Sequence, residues 1–357
     1  VHGVPVVGDR HAIADAAVTC RADTILIALP SASQADINDI ADRSLAAGLT
    51  VKILPSVTDL TSGKVRVTDI RDIELADFLN RDEVDIDASS VRGYLSGKRV
   101  LVTGAGGSIG SELCRTILEF EPSRLIMVDH DENALHALQL SIEGRALLES
   151  PDLVLCDIRD RDSVRTIFEA SHPHVVFHAA AHKHVTFLER FPFEGEKTNV
   201  GGTGNVLDAA AATGVETFVN ISTDKAADPI NVLGRTKRQA ELMTAQMHER
   251  VEGRYLSVRF GNVLGSTGSV VPTFVDQIEQ GRPITVTDPQ ATRFFMTVSE
   301  AVLLVLQAGA LGEGGDVLVL DMGEPVNINN LAIRLSLRLR PGVQPNIVYT
   351  GLRPGEK

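Results

Sequence analysis

The sequence predicts an α/β protein built on parallel sheets, and three observations predict it. Short apolar strands alternate with helical stretches along most of the 357 residues, as in βαβ units. A glycine-rich turn, TGAGGSIG (103–110), stands between one such strand and one such helix. The longest apolar runs, such as ILIALP (25–30), have strand length and fall well short of the roughly 18 residues of a membrane span.

Composition narrows the function classes. A formal net charge of −13 argues against a nucleic-acid partner, which needs a basic face to neutralise phosphates. A small anionic ligand stays compatible with it, because backbone N–H groups at a helix start supply a local site. Cys20, Cys114 and Cys156 show no C-x-x-C spacing, so no disulfide framework or zinc ribbon is expected, and a reducing compartment is the default. No secretory signal pattern is present. The chain opens on Val1 and stops at GLRPGEK without a tail, which reads as a piece of a longer protein.

The elements follow in order. Residues 1–80 read as a partial Rossmann-like domain lacking its first strand. It has a helix near 10–20, a strand at 23–30, a helix at 33–47 and a strand at 49–55. From 56 the pattern weakens into an Asp- and Arg-rich run, a solvated face, and 81–97 reads as a linker. A complete α/β unit follows over 98–265. Its strands are RVLVTG, RLIMVD (124–129), LVLCD (153–157), HVVFHAA (174–180), TFVNIST (217–223) and YLSVRFGNVLG (255–265). Over 266–357 the alternation loosens, as in a smaller lobe that closes on a substrate.

The glycine turn points to a dinucleotide. Gly104 makes the tight turn, Gly107 lets the backbone approach a pyrophosphate, and Gly110 lets helix and strand pack closely. Ser108 and Ile109 open the helix whose N–H groups and dipole favour phosphate. Asp129 ends the next strand, where a carboxylate accepts from a ribose 2′-hydroxyl and repels the extra phosphate of NADP, so NAD is expected. Asp157 and Ile158 close the third strand near the adenine, and Ala179 and Ala180 follow the fourth. The bland alternative is a chain-reversing glycine and a helix-capping Asp. A strand before the turn and a helix after it favour the cofactor.

HAAAHKHV (178–185) carries His178, His182, Lys183 and His184. No Cys or acidic companion has a ligand spacing, so no metal is expected. The loop lies at the carboxyl end of a parallel strand, the ligand edge of an open sheet, where Lys183 and His184 face cofactor or sugar. Asn199 on the next helix reads either as a satisfied interior amide or as a water-mediated link to the site.

The strand TFVNIST delivers Thr223, Asp224 and Lys225 at its carboxyl end, and a helix bearing Lys237 follows. Capping by Thr and Asp, and a surface ion pair, are the bland readings. Four residues before Lys237, where a short-chain dehydrogenase carries Tyr, stands Leu233. Tyr94 and Lys98 share the Tyr-to-Lys spacing but precede the first nucleotide-binding strand, with Gly97 breaking the helix between them.

The segments LVTGAGGSIGSELCR, HAAAHKHV, NVGGTGNVLDAA, STDKAADPINVLGRTKR, VRFGNVLGSTGSVVPTF, TDPQATRFFMT and GLRPGEK together resemble one family. It is the membrane-anchored, CapD-like branch of the nucleotide-sugar 4,6-dehydratases, within the extended short-chain dehydrogenase/reductases. Residues 1–90 resemble the Rossmann-like domain that precedes the catalytic unit in that branch. The resemblance implies NAD as cofactor and a UDP-sugar as substrate, UDP-N-acetylglucosamine foremost. It implies Lys225 as the base at carbon 5, Asp224 as the acid at the carbon 6 hydroxyl, Thr223 on the carbon 4 hydroxyl and Lys237 on the nicotinamide ribose. It assigns Asn262, Arg293, Arg353 and Glu356 to the substrate, beside the Lys183 and His184 that the ligand-edge loop offers. It also implies transmembrane helices outside this chain, with this part on the cytoplasmic face. A homo-oligomer is expected through the helices at 199–212 and 233–249. That branch commonly replaces the Tyr by Met, so Leu233 keeps the loss and changes the residue. Two other functions compete. A nucleotide-sugar 4-epimerase needs a proton-relaying Tyr at 233. A non-catalytic NAD or nucleotide-sugar sensor needs no acid and base together.

Overall fold

The computed structural model describes residues 3, 5–29, 31–54, 71–72, 86–266, 268–353 and 355–356. Most of the charged run expected as a linker, 55–70 and 73–85, lies outside the described residues. The chain forms two compact units. One comprises 1–82, 268–295 and 323–351; the other comprises 83–267, 296–322 and 352–357.

In the first unit, strands Thr24–Ile27 and Thr50–Ile53 pair in parallel, and Arg71–Asp72 adds antiparallel to the second. Helix Gln34–Ala46 connects the two parallel strands and is capped by Ser33, whose Oγ accepts from the Asp36 N–H at 3.2 Å. Ile27, Ala41, Leu45, Val51 and Ile53 make its core, with Leu337 of helix Ile328–Leu339 packed against them. Arg334 on that helix pairs with Asp42 at 2.6 Å. The N-terminal residues and part of the chain after 266 therefore share one core. Short pairs complete this unit: Ile284–Val286 with Ile347–Tyr349, and Thr292–Arg293 with Val326–Asn327.

The second unit is a Rossmann-type fold on a seven-stranded, wholly parallel sheet. Across the sheet the strands run Val317–Val319, Arg254–Phe260, Thr217–Thr223, Val175–His178, Arg99–Thr103, Arg124–Asp129 and Leu153–Leu155. Helices cover both faces, so successive residues of one strand are buried on opposite sides. Val100 and Val102 join Val91, Leu113, Ile117 and Val305 on one face. Leu101 joins Val164, Phe168, Val206 and Phe218 on the other. Chain order reverses between Arg99–Thr103 and Val175–His178, and the carboxyl ends of such a pair form the ligand crevice of an open sheet.

Residues 88–95, inside the expected linker, are helical. Asp87 caps the helix by accepting from the Ser89 and Ser90 N–H groups, Val91 and Leu95 are buried, and Tyr94 OH donates to Leu306 O at 2.8 Å. Gly97 follows with φ of +70°, and Lys98 turns to Glu216 at 2.6 Å. Tyr94 and Lys98 therefore do not form a catalytic pair. Among the described residues no helix is long and apolar enough to cross a membrane.

Candidate active site

The site begins where strand Arg99–Thr103 ends. Gly104 takes φ of +67°, and a Cβ there would stand 2.7 Å from Ala180 N and Cα. A Cβ on Gly110 would stand 2.0 Å from Gly104 O. Both positions need glycine so that turn, helix and the neighbouring strand end close on one another. Gly107 is the N-cap of helix Ser108–Leu118, and no side chain caps that end. Its first turn thus presents backbone N–H groups, as an anion site requires. Gly106 was not singled out in the sequence, yet a Cβ there would stand 2.3 Å from Ala134 Cβ. Gly110→Ala is expected to destabilise the protein by about 3 kcal/mol, with NAD affinity falling alongside. Chemical denaturation and titration calorimetry check it.

Asp129 is buried, with one oxygen accepting from Gly106 N–H at 2.9 Å and the other from Asp131 N–H at 3.0 Å. The turn and the strand end are thereby locked together. The oxygen that accepts from Gly106 has a second lone pair for a ribose hydroxyl, while the other also meets His130 Nδ1 at 3.2 Å. Asp157 instead accepts from Arg159, at 2.9 Å from N and 2.8 Å from Nε. Those bonds hold its carboxyl below the usual range against the cost of burial. Ile158 is buried against Gly202, where a Cβ would come within 2.6 Å of its Cδ1.

His178 is wholly buried and bonds Thr103 Oγ1 at 2.7 Å and Thr203 Oγ1 at 2.9 Å. Thr203 spends its hydroxyl proton on Asn199 O, so it accepts from His178 Nε2–H, and His178 Nδ1 accepts from Thr103. Burial pushes His178 down to about 3, so the ring is neutral and structural. Asn199 lies in a π-helical stretch, Glu196–Gly202. Its Oδ1 accepts from His182 N–H at 2.8 Å, and its Nδ2 donates to His182 O at 3.0 Å and Thr236 Oγ1 at 3.1 Å. It is the satisfied interior amide, and it pins the HAAAHKHV loop. Lys183 and His184 are exposed on that loop, with His184 edge-on to Phe187 at 6.3 Å. No metal-ligating group occurs among the described residues.

Strand Thr217–Thr223 ends in a connected cluster. Thr223 Oγ1 bonds Asp224 Oδ1 at 2.9 Å and accepts from Lys225 N–H. Lys225 Nζ donates to Asp224 Oδ1 at 2.9 Å and to Asn262 Oδ1 at 3.4 Å. Helix Val232–His248 then presses on this turn, since a Cβ on Gly234 would stand 2.3 Å from Lys225 O. Leu233 is buried with Leu188 and Val232, so no proton-carrying group occupies its place. Asn231 caps the helix through Gly234 N–H at 2.8 Å and donates to Gly355 O at 2.8 Å.

Lys237 is 5% exposed and has no hydrogen-bond partner among the described residues. Burial pushes its ammonium down to about 8, and Glu241 opposes the shift. Its charge is felt at His178, on the strand beside the glycine turn. An unpartnered ammonium and a close-packed glycine turn fit a dinucleotide, the one for a ribose diol and the other for the pyrophosphate.

The expected substrate residues divide. Asn262 joins the Lys225 cluster. Arg353 and Glu356 form one turn, with Glu356 Oε2 accepting from Arg353 N–H at 3.0 Å. Arg293 belongs to the first unit and donates to Thr292 O at 2.7 Å, whereas Arg353 belongs to the second. Thr267, in the turn GSTGSVVP, lies outside the described residues.

One feature of the site was missed in the sequence. Glu241 is 1% exposed and accepts from Ser222 Oγ at 2.5 Å, Arg259 Nε at 2.7 Å, Arg259 Nη2 at 2.6 Å and Arg238 Nη1 at 3.1 Å. Burial works against its charge, but these donors hold its carboxyl below the usual range. Two signals were available: Glu241 follows Lys237 by four residues on a buried helix face, and Arg259 sits inside the apolar run RYLSVRF.

The family described as polysaccharide biosynthesis protein matches residues 100–357. The chain belongs to this family. The probable polysaccharide biosynthesis protein EpsC of Bacillus subtilis is 44% identical over 362 residues, which are 100% of this chain and 60% of EpsC. The chain thus spans less than two thirds of the length of that relative. An inverting UDP-N-acetylglucosamine 4,6-dehydratase of Campylobacter jejuni is 32% identical, with 73% of this chain and 76% of that protein covered. A UDP-glucose 4-epimerase of Rickettsia canadensis is 34% identical at the same two coverages. Among solved structures, Pen from Bacillus thuringiensis aligns with a TM-score of 0.68 at 36% identity, covering 74% of this chain and 82% of Pen.

Proposed function

We propose that this chain carries the active site of an NAD-dependent nucleotide-sugar 4,6-dehydratase acting on a UDP-sugar, UDP-N-acetylglucosamine foremost. The observation that carries the reading is the Asp224–Lys225 pair at 2.9 Å on the ligand edge. Elimination needs a base for the carbon 5 proton and an acid for the carbon 6 hydroxyl, and two adjacent titratable groups serve both tasks.

NAD, when bound, supplies the hydride acceptor that makes carbon 4 a ketone and later returns the hydride to carbon 6. The chain's own residues do the rest. Gly104, Gly107 and Gly110 admit the pyrophosphate, Asp129 takes the adenosine ribose and Lys237 the nicotinamide ribose. Lys225 Nζ takes the proton that the ketone has acidified. Asp224 gives a proton to the hydroxyl that leaves as water. Ammonium beside carboxylate and amine beside carboxylic acid differ only in the place of one proton along a 2.9 Å bond. A sugar that excludes water from the pair favours the uncharged arrangement, which is the reactive one. Thr223, already bonded to Asp224, is placed for the carbon 4 hydroxyl, whose proton passes to water as the hydride leaves.

The epimerase relative favours a second reading, 4-epimerisation. Leu233 does not separate the two readings, because oxidation at carbon 4 releases a hydroxyl proton in both; the Asp224–Lys225 pair, which epimerisation leaves without a task, favours dehydration. The proposed setting is surface-polysaccharide synthesis at the cytoplasmic face of the membrane, with anchoring through segments outside this chain. Mass spectrometry of UDP-N-acetylglucosamine incubated with the protein and NAD+ tests the reaction. A product lighter by one water supports dehydration. An equal-mass sugar epimeric at carbon 4 turns the assignment to epimerase. Tight binding without turnover turns it to a sensor.

A further inference from the structure

The Glu241–Arg259 pair takes no part in the chemistry above, yet it lies directly against the residues that perform it. Glu241 accepts from Ser222, the residue before Thr223. Arg259 Nη2 donates to Ala226 O at 3.4 Å, the carbonyl of the residue after Lys225. One ion pair therefore grips the Thr223–Asp224–Lys225 turn at both ends. Its carboxylate stands on the helix that bears Lys237, one turn further along. Its guanidinium stands on strand Arg254–Phe260, three residues before Asn262 begins the next short strand. The side chains are 0% and 12% exposed. A pair so buried is a poor source of net stability, because desolvation offsets much of the attraction, but its hydrogen bonds are directional.

We infer that Glu241 and Arg259 are positioning residues, a clamp that fixes the Thr223–Asp224–Lys225 turn against the helix bearing Lys237. The step it serves rests on the dehydratase reading; the clamp itself does not. Lys237 is set by its own helix, whereas Asp224 and Lys225 are set by the two gripped ends. Loss of the clamp therefore harms proton transfer at carbons 5 and 6 more than cofactor binding.

The test uses the full-length protein with the paired substitution Glu241→Gln and Arg259→Met, which removes both charges and keeps similar volumes. Ser222→Ala, which removes only the upstream grip, is the second variant. The paired variant is expected to keep its melting temperature and its NAD affinity within about twofold, and the KM for the sugar likewise. Its kcat is expected to fall about a hundredfold, as for a misplacement of about 1 Å. Reduced cofactor then accumulates during turnover, because carbon 4 is oxidised before the slowed elimination. Ser222→Ala is expected to lower kcat about tenfold with KM unchanged. Amide hydrogen exchange judges the clamp whatever the reaction: exchange at 223–227 is expected to quicken about tenfold while helix Ser108–Leu118 keeps its protection.

A wild-type kcat in the paired variant, or a kcat that falls only in step with folded fraction and NAD affinity, overturns the clamp. If the paired variant does not fold, an unchanged kcat in Ser222→Ala overturns it. Unchanged exchange at 223–227 in the folded variants overturns it too. A wild-type protein that forms no dehydrated sugar defeats the dehydratase reading alone, and the exchange measurement still decides the clamp.

Discussion

Lys225→Met is expected to lower formation of the dehydrated sugar about a thousandfold, the scale of a lost general base, while NAD affinity stays within about twofold. The Lys225 ammonium touches Asp224 and Asn262, and no residue of the glycine turn. Its side chain is 28% exposed and that of Asp224 38%, so the pair is worth under about 1 kcal/mol to the fold and melting should barely change. The cofactor site survives, so carbon 4 is still oxidised and a single turnover leaves reduced cofactor on the enzyme. Asp224→Asn should stall the same step from the acid side, since an amide accepts hydrogen bonds and has no acidic proton to give. Single-turnover mass spectrometry alongside cofactor absorbance follows both. An epimerase predicts the opposite, carbon 4 interconversion that ignores Lys225→Met.

Lys237→Met is expected to stabilise the cofactor-free protein at pH 7 by about 3 kcal/mol and to remove activity. The ammonium is buried without a hydrogen-bond partner among the described residues, and its proton affinity falls from 10.5 to about 8. That difference corresponds to about 3 kcal/mol of desolvation carried by the folded state. Below about pH 8 folded and unfolded chains are both charged, and the folded chain bears the whole cost. Between about 8 and 10.5 only the unfolded chain holds the proton, so stability from this group rises with pH. The gain from Lys237→Met should therefore shrink through that window and vanish above it. Denaturant titrations of wild type and variant at pH 7 and pH 10 check the sign. Destabilisation at pH 7 would mean that the ammonium holds a partner worth more than its burial costs. A group that lowers stability while its function waits on a ligand is the expected trade at an active site.

The parts legible in the sequence were those set by local pattern. Strands Arg124–Asp129 and Thr217–Thr223 match their sequence boundaries because buried parallel strands are continuous apolar runs flanked by turn residues. The glycine turn was legible because its spacing is itself a packing requirement, visible in the 2.0 Å approach at Gly110. Strand Leu153–Leu155 is shorter than expected: Cys156 N–H still bonds Asp129 O, but Asp157 O accepts from Asp160 N–H and starts the turn to the next helix. Long-range pairings left no such trace. Glu241 and Arg259 are 18 residues apart, and nothing local says that they meet. Arg293 and Arg353, which the resemblance assigns to the substrate, fall in different units, and nothing local in the sequence says so. The helix at 88–95 was hidden by its polar start, although Val91 and Leu95 already stand four apart on one buried face.

The central claim is that Lys225 and Asp224 move protons at carbons 5 and 6. The most direct test is turnover of UDP-N-acetylglucosamine with NAD+ in deuterated water, with deuterium located by mass spectrometry and NMR. A lysine ammonium carries three equivalent protons, so a proton taken from carbon 5 joins solvent deuterons before one is returned. The account predicts a product lighter by one water, with solvent deuterium at carbon 5, and none from Lys225→Met. A dehydrated product that keeps its original hydrogen at carbon 5, or one formed equally well by Lys225→Met, would contradict it.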